Sequence, residues 1–313
     1  MINWGILGYG RMGLSFSKVI KETSNSKLIY IGSRTANNKS ENILKGYDDV
    51  LKDKNIDAIY IATLNNTHKD LILQILKSDK HILCEKPFVI DLEQALKINQ
   101  NVISSSKAFF EAIAYYSHPQ TLKLLEIINN NEIGDIIQID SSFGYKSKEN
   151  IKKRIYNKEF GGGAILDLAC YPISFAMLFC KEFNNYKFLS KKIEMAKTGV
   201  DKHAEAKILY DNKIHLNISV SISSHLDNKC IVYGTKGKIT ILNPWMPSNK
   251  SALEIENEKR YYKKFIESPM STYANQIQNV SDYFLGKTKN DFNLFDINKS
   301  VMCMKIIDKW IEK

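Results

Sequence analysis

The 313-residue chain lacks most of the features that mark specialised protein classes. No uncharged run reaches the roughly 18–20 residues that span a bilayer. The N-terminus has no basic stretch ahead of an apolar one, and its short apolar run is broken at Gly8, Gly10 and Arg11, unlike a secretory signal. The expectation is a cytoplasmic protein with no membrane partner. Cysteine is scarce and unpatterned: Cys84, Cys170, Cys180, Cys230 and Cys303 form no CxxC pair. Neither a disulfide framework nor a thiolate zinc site is indicated. The six histidines form no HxxxH pair, so no metal is expected. Arginine is scarcer still. The formal net charge is +10, yet only Arg11, Arg34, Arg154 and Arg260 among 44 basic residues carry a guanidinium. Nucleic-acid sites favour arginine's planar fork. Lysines scattered through a chain rich in Asn and Ile read instead as solvated surface, with modest attraction for small anions. No nucleic-acid partner is expected.

What remains is a globular composition, 44% hydrophobic and 25% charged, long enough for two domains. The first third alternates. Residues 3–8, 27–33, 57–63 and 81–85 read as short apolar strands. Met12, Phe16, Val19 and Ile20 share a helical face, as do Leu71, Ile72, Ile75 and Leu76, and then Leu92, Ala95, Leu96, Asn99 and Val102. Apolar strands between amphipathic helices predict a parallel sheet covered on both sides. After about residue 118 the pattern changes. A helix is expected over 119–129, then β-rich runs at 135–144, 186–197, 203–210, 213–222, 229–233 and 238–242. Gly134, "YDNK" (210–213) and "GTKG" (234–237) punctuate them. Consecutive strands predict one open, mostly antiparallel sheet. Helices near 271–285 and 296–312 close the chain. No repeat or low-complexity linker is present.

The spacing Gly8-x-Gly10-x-x-Gly13 lies between the first strand and the first helix. In a dinucleotide fingerprint the first glycine makes the tight turn, the second lets a pyrophosphate approach the backbone, and the third lets the helix pack on the strand. The helix N-terminus offers free N–H groups to the anion. The second strand ends 20 residues after Gly13, at "GSRT" (32–35), with no acid to hold the two ribose hydroxyls of NAD. Ser33 and Arg34 suit a 2′-phosphate. NADP(H) is therefore favoured over NAD(H).

Two longer stretches complete the pattern: "ATLNNTHKDLILQILKSDKHILCEKP" (62–87) and "GGGAILDLACYP" (161–172). With the glycine loop they resemble the Gfo/Idh/MocA oxidoreductase family. The likeness runs on through "GDIIQIDSSFGY" (134–145), "YGTKGKITI" (233–241) and the final helices. Tyr171 and "NPW" (243–245) look most like the branch of dimeric dihydrodiol dehydrogenase and glucose–fructose oxidoreductase. The resemblance implies an α/β chain of two domains. Residues 1–118 would form a dinucleotide-binding Rossmann domain with a parallel sheet. Residues 119–313 would form a substrate-binding and oligomerisation α/β domain with an open, mostly antiparallel sheet. It further implies a homodimer or homotetramer built on the outer face of that sheet, and a substrate cleft between the domains.

The resemblance also assigns roles. Cofactor-contacting positions fall on Gly8, Gly10, Arg11, Met12, Gly13, Ser33, Arg34, Thr63, Asn65, His68, Glu85, Lys86 and Glu111. Leu64 stands where the family usually has proline, and His68 could equally cap or pack the helix it starts. Lys86, between Glu85 and Pro87, would be catalytic, its ammonium stabilising negative charge on a carbonyl oxygen as hydride arrives. Asp167 and Tyr171, four residues apart, would share one face of a helix beginning after the glycines. Tyr171 stands where many members have His. A tyrosine pKa near 10 is lowered by a neighbouring ammonium, which makes Tyr171 the expected general acid in reduction and base in oxidation. Asp167 would bind a substrate hydroxyl. Gly161, Gly162 and Gly163 would allow close backbone approach. Tyr116 and His118 divide evenly between substrate contact and packing. The expected function is an NADP-dependent dehydrogenase or reductase acting on a carbonyl or hydroxyl carbon of a small molecule such as a sugar or polyol. The alternatives are a nucleotide-sensing regulator without catalysis, and a sugar-processing enzyme that uses a tightly held cofactor transiently.

Overall fold

The structure is a computed structural model that describes residues 1–34, 44–179, 184–288 and 293–312. Thr35 of the "GSRT" stretch and Cys180 lie outside the described residues. The chain divides into two compact units.

The first unit holds residues Met1–Ser117 and Met270–Val301. In chain order its first segment runs β1 (Ile2–Leu7), α1 (Arg11–Val19), β2 (Ser26–Gly32), β3 (Leu44–Lys45), α2 (Tyr47–Lys52), β4 (Ala58–Ile61), α3 (His68–Lys77), β5 (His81–Cys84), α4 (Leu92–Ile103) and β6 (Phe109–Glu111). The strands make one sheet in the order β3-β2-β1-β4-β5-β6, with every pairing parallel. β1 and β4 are buried almost throughout, as strands covered on both faces must be. The strand order reverses between β1 and β4, the point where such sheets open a crevice at their carboxyl edge. Register lines up that edge: Leu7 pairs with Gly32 and with Ile61, Ile61 with Cys84, and Cys84 with Glu111. The segments that follow β1, β2, β4 and β5, together with Glu111 itself, therefore lie along one row.

The second unit holds His118–Pro269 and Met302–Lys313. It runs α5 (Pro119–Asn129), β7 (Ile136–Gly144), α6 (Ala164–Leu168), α7 (Cys170–Met177), β8 (Tyr186–Met195), β9 (Asp201–Tyr210), β10 (Ile214–Ser221), β11 (Lys229–Gly234), β12 (Gly237–Leu242), β13 (Lys250–Asn257) and β14 (Tyr261–Glu267). Its eight strands order as β14-β13-β12-β11-β7-β10-β9-β8, antiparallel except for β7 with β10. Alternation decides which face is inside. Ile214, Leu216, Ile218 and Val220 of β10 and Ala204, Ala206 and Ile208 of β9 are buried, and α6 and α7 pack over β9, β10 and β7.

Two helices follow, α8 (Thr272–Phe284) and α9 (Ile297–Ile311). The sequence pattern groups all of 119–313 together, but α8 belongs to the first unit. Ile277 and Val280 join the core around Trp4, Phe16 and Tyr60. The Trp4 indole donates to Ser281 Oγ at 3.1 Å, and the Asn25 amide donates to the Gln278 carbonyl at 2.8 Å. The sequence reading also passes over β13 and β14, although Leu253 and Ile255 are buried at alternate positions. The expected single helix after the glycines is instead two short ones, α6 and α7, meeting at Ala169. Among the described residues, no single helix is long and apolar enough to cross a membrane. A bent pair, Lys158–Leu168 with Cys170–Met177, meets that length and composition only together, and residues 164–168 and 170–176 of it are buried.

Candidate active site

The glycine loop follows β1. Gly8 adopts φ +114°, and a Cβ there would lie 2.4 Å from the Ala62 carbonyl oxygen. A Cβ on Gly13 would lie 2.1 Å from the Gly8 carbonyl oxygen. Both glycines are thus demanded by the fold itself. Gly10 is different: a Cβ there meets no described residue within 4 Å. Gly10 is the N-cap of α1 and supplies no side-chain cap, so the first-turn amides, including those of Arg11 and Met12, face away from any intrahelical acceptor.

At the end of β2, Arg34 is exposed and its guanidinium hydrogen-bonds the Tyr47 hydroxyl. Burial raises the Tyr47 pKa and the Arg34 charge opposes that rise. After β4, Thr63 Oγ1 and Thr67 Oγ1 are 2.7 Å apart and Thr67 also donates to the Leu64 carbonyl. Leu64 takes φ −75° and ψ 143°, angles that proline itself would hold. The path usually set by proline is kept without it. Asn65 is buried, and His68 is fully enclosed. The His68 ring lies 3.0 Å through Nδ1 from the Pro87 carbonyl and 3.4 Å through Nε2 from the Thr63 carbonyl. Its place is that of a brace between two loops.

After β5, the half-buried Lys86 is surrounded by acid and phenol. Glu85 accepts a short hydrogen bond from the Tyr60 hydroxyl. Glu111, at the end of β6, is only 3% exposed and accepts from the Phe88 amide at 3.1 Å. Burial pushes the Glu111 carboxyl up to about 7, the Phe88 hydrogen bond and the Lys86 ammonium pulling the other way. Enclosed like this, Glu111 underlies the Lys86 turn rather than lining an open surface. Tyr273, from the first turn of α8, completes the group. Its hydroxyl is pushed up to about 12 by burial and by Glu85, with Lys86 and Arg11 opposing. Sequence reasoning missed Tyr273 because nothing local ties it to residues almost 200 positions earlier.

The second unit carries Asp167 and Tyr171. Asp167, in the last turn of α6, is almost fully buried and both its oxygens are engaged. Oδ1 accepts from Arg154 Nη2 at 2.7 Å and Oδ2 from the Tyr145 hydroxyl at 2.9 Å. Tyr171, in the first turn of α7, meets Phe143 edge-on at 5.1 Å and Trp245 at 6.1 Å between ring centroids. The Trp245 indole donates to the Ser142 carbonyl. The three preceding glycines serve the chain's own packing. Gly161 is left-handed at φ +66°. A Cβ on Gly162 would meet the Arg154 carbonyl at 2.7 Å, and one on Gly163, at φ +118°, would meet Asp201 Oδ1 at 2.3 Å. Asp201 in turn accepts from the Ile165 amide at the start of α6. His118 caps α5, its Nδ1 accepting from the Gln120 amide, and Tyr116 packs on Tyr115 and Phe295. Both are buried.

A family model described as an oxidoreductase family with an NAD-binding Rossmann fold matches residues 2–113, and the GFO/IDH/MocA C-terminal domain model matches residues 121–240. The chain belongs to the Gfo/Idh/MocA family of oxidoreductases. Among its curated relatives, trans-1,2-dihydrobenzene-1,2-diol dehydrogenase of Mus musculus is 28% identical over 272 residues, 83% of this chain and 80% of that one. The Xenopus tropicalis enzyme of the same name is 29% identical over 263 residues, covering 79% and 77%. Two solved structures share the fold. KijD10, a 3-ketoreductase from Actinomadura kijaniata solved with NADP and TDP-benzene, superposes with TM-score 0.86 at 20% identity over 98% of this chain and 96% of its own. The aldose–aldose oxidoreductase of Caulobacter crescentus, solved with glycerol, gives 0.89 at 15% identity over 99% and 96%.

A Gfo/Idh/MocA oxidoreductase needs room for a dinucleotide, and the loop provides it. The open space at Gly10 and the uncapped N-terminus of α1 fit a pyrophosphate. The exposed guanidinium of Arg34 fits an adenosine phosphate at the end of β2. Among the described residues, no group of three His, Cys, Asp or Glu side chains is placed to hold a metal ion.

Proposed function

We propose that this Gfo/Idh/MocA oxidoreductase uses NADP(H), in preference to NAD(H), to interconvert a carbonyl and a hydroxyl on a sugar, polyol or related small molecule. The observation that carries the reading is Lys86. The parallel sheet puts it just beyond the carboxyl row of strand ends, after the segments following β1, β2 and β4, with Glu85 and Glu111 beside it. When bound, the nicotinamide supplies or accepts the hydride. The amides of Arg11, Met12 and Gly13 hold the pyrophosphate, Gly8 and Gly10 shaping the turn. Ser33 and Arg34 hold the 2′-phosphate, Arg34 steadied by Tyr47. Thr63 and Asn65 border the cofactor, while His68 fixes that loop to Pro87.

In the reducing direction, the Lys86 ammonium stabilises the negative charge that grows on the carbonyl oxygen. The Tyr171 hydroxyl gives its proton to that oxygen and recovers one from solvent. In oxidation the phenolate takes the hydroxyl proton. Asp167 sets the substrate's orientation. Glu111, and Glu85 next in the chain, set the charge around Lys86. The exposed Tyr261, Phe265 and Leu242, on the sheet face opposite the buried Ile266 and Ile241, support a homodimer or homotetramer, with light scattering as its check.

The test is titration with NADPH and NADH by energy transfer from tryptophan, followed by nicotinamide absorbance with keto sugars, dicarbonyls and polyols. Tight NADPH binding, weaker NADH binding and net turnover that Lys86→Met abolishes without loss of cofactor binding are expected. Full turnover by Lys86→Met would overturn the assignment. Absorbance that never changes while a sugar is converted would point to transient use of a held cofactor.

A further inference from the structure

Asp167 is the acid that the sequence offers for binding a substrate hydroxyl, but the structure has already engaged it. One oxygen accepts from Arg154 and the other from Tyr145. The pair is close and well enclosed, with the Asp167 side chain only 5% exposed and that of Arg154 31%. The carboxylate's charge is balanced and each of its oxygens already accepts one hydrogen bond before any substrate arrives. The donor left over is on the arginine. Arg154 Nη1 is buried and has no hydrogen-bond partner among the described residues. A buried guanidinium nitrogen is costly to leave unsatisfied, and the Nη2 hydrogen bond to Asp167 Oδ1 anchors one end of the group.

The surroundings reinforce one sign of charge. Residues 145–160 contain Lys146, Lys148, Lys152, Lys153, Arg154 and Lys158 against only Glu149 and Glu159. All five lysines are exposed. They would draw an anion toward the anchored guanidinium among them. The rings of Phe143, Tyr171 and Trp245 form an aromatic cluster in the same unit.

We propose that Arg154, positioned by Asp167, is the specificity-determining residue for an anionic substrate, a sugar or polyol bearing a carboxylate or phosphate, whose oxygen accepts from Nη1. This rests on the functional reading above and narrows its substrate class. Asp167 then acts through Arg154 as a positioning residue.

The experiment measures binding and turnover separately. Protein saturated with NADP+ is titrated calorimetrically with glucose, gluconate and glucose 6-phosphate, for the parent chain and for Arg154→Lys. The lysine keeps an ion pair with Asp167, and so the fold, but has no second nitrogen to present. At least one anion should bind the parent about tenfold or more tightly than glucose, and Arg154→Lys should lose most of that ratio. A preference for gluconate identifies the carboxylate, and one for glucose 6-phosphate the phosphate. Equal binding of neutral and charged ligands, binding of none, or a preference that survives in Arg154→Lys would overturn the proposal. Anion preference that Arg154→Lys loses, without nicotinamide turnover, would support the anion site and count against the proposed carbonyl–hydroxyl chemistry on these ligands. Turnover of neutral sugars without anion preference would do the reverse.

Discussion

The chain has two glycine-rich turns, and they are glycine-rich for different reasons. In Gly161–Gly162–Gly163 the space a side chain would need is filled by the protein: carbonyls of Arg154 and Asn157 at Gly162, and the Asp201 carboxylate at Gly163. In the first turn the space at Gly8 is likewise filled by the Ala62 carbonyl and that at Gly13 by the Gly8 carbonyl, but no described residue fills the space at Gly10. A glycine that the fold does not need, inside a turn that otherwise needs its glycines, marks where something else must come close. In the second turn Gly162 and Gly163 are both filled, and Gly161 is held left-handed at φ +66°. That turn builds the N-terminus of α6 and so places Asp167. The first leaves open space beside a helix N-terminus that has no side-chain cap, which fits an anion.

The largest effect expected from this contrast is at Gly163. Alanine there would have to take φ +118° against Asp201, at a cost of roughly 3–5 kcal/mol. Urea unfolding of Gly163→Ala should show it, and a loss under about 1 kcal/mol would mean the turn is not packed as described.

Next come the buried ionisable groups, one in each unit. Glu111 ionises ordinarily near 4.5 but in the fold only near 7. Between those values the folded state holds the extra proton, so stability falls as pH rises and the full penalty applies above about pH 7, on the order of 3 kcal/mol. Glu111→Gln should therefore be more stable than the parent at about pH 8 and level with it below about pH 4.5. His118 runs the other way. Burial lowers it from 6.5 to about 4. The unfolded chain then takes the proton first, and stability falls as pH drops from about 6.5 toward 4. His118→Asn keeps a capping side chain and should flatten that acid limb. Matching pH curves for parent and variant would contradict either assignment.

At Gly10 the effect should be on binding rather than folding. Gly10→Ala should change stability by less than about 1 kcal/mol and weaken NADPH about tenfold, worth about 1.4 kcal/mol. Equal loss of both would erase the distinction between the turns. The smallest effect is at Tyr47. Tyr47→Phe removes one hydrogen bond to Arg34, and the NADPH Michaelis constant should rise a few-fold, less than about 1 kcal/mol, with NADH unchanged. A larger change with NADH would separate Arg34 from the phosphate.

Much of this architecture was legible in the sequence wherever its cause is local. Glycine spacing, strand length and the 3.6-residue face of α1, α3 and α4 announced the parallel sheet, and alternation announced β9 and β10. Lys86 could be placed because it follows a strand directly. The rest failed for non-local reasons. Strands β13 and β14 carry their alternation between lysines and glutamates: Glu254 of β13 pairs with Lys263 of β14, and Glu256 of β13 with Lys238 of β12. Arg154 carried one faint signal, an arginine where this chain nearly always uses lysine. Its meaning depends on Asp167, thirteen residues on and across a turn.

The sequence by itself determined the family, the doubly covered sheet, the glycine loop and the candidate lysine, because each is written within a few residues of chain. Only the tertiary structure decided that α8 returns to the first unit and brings Tyr273 to Glu85 and Lys86. Only it decided that Glu111 and His68 are enclosed, that Gly10 is the one open glycine of its turn, and that the Asp167 oxygens are taken. Burial and partnership are properties of side chains that meet from distant positions, and a linear pattern records which residues are present without recording which of them meet.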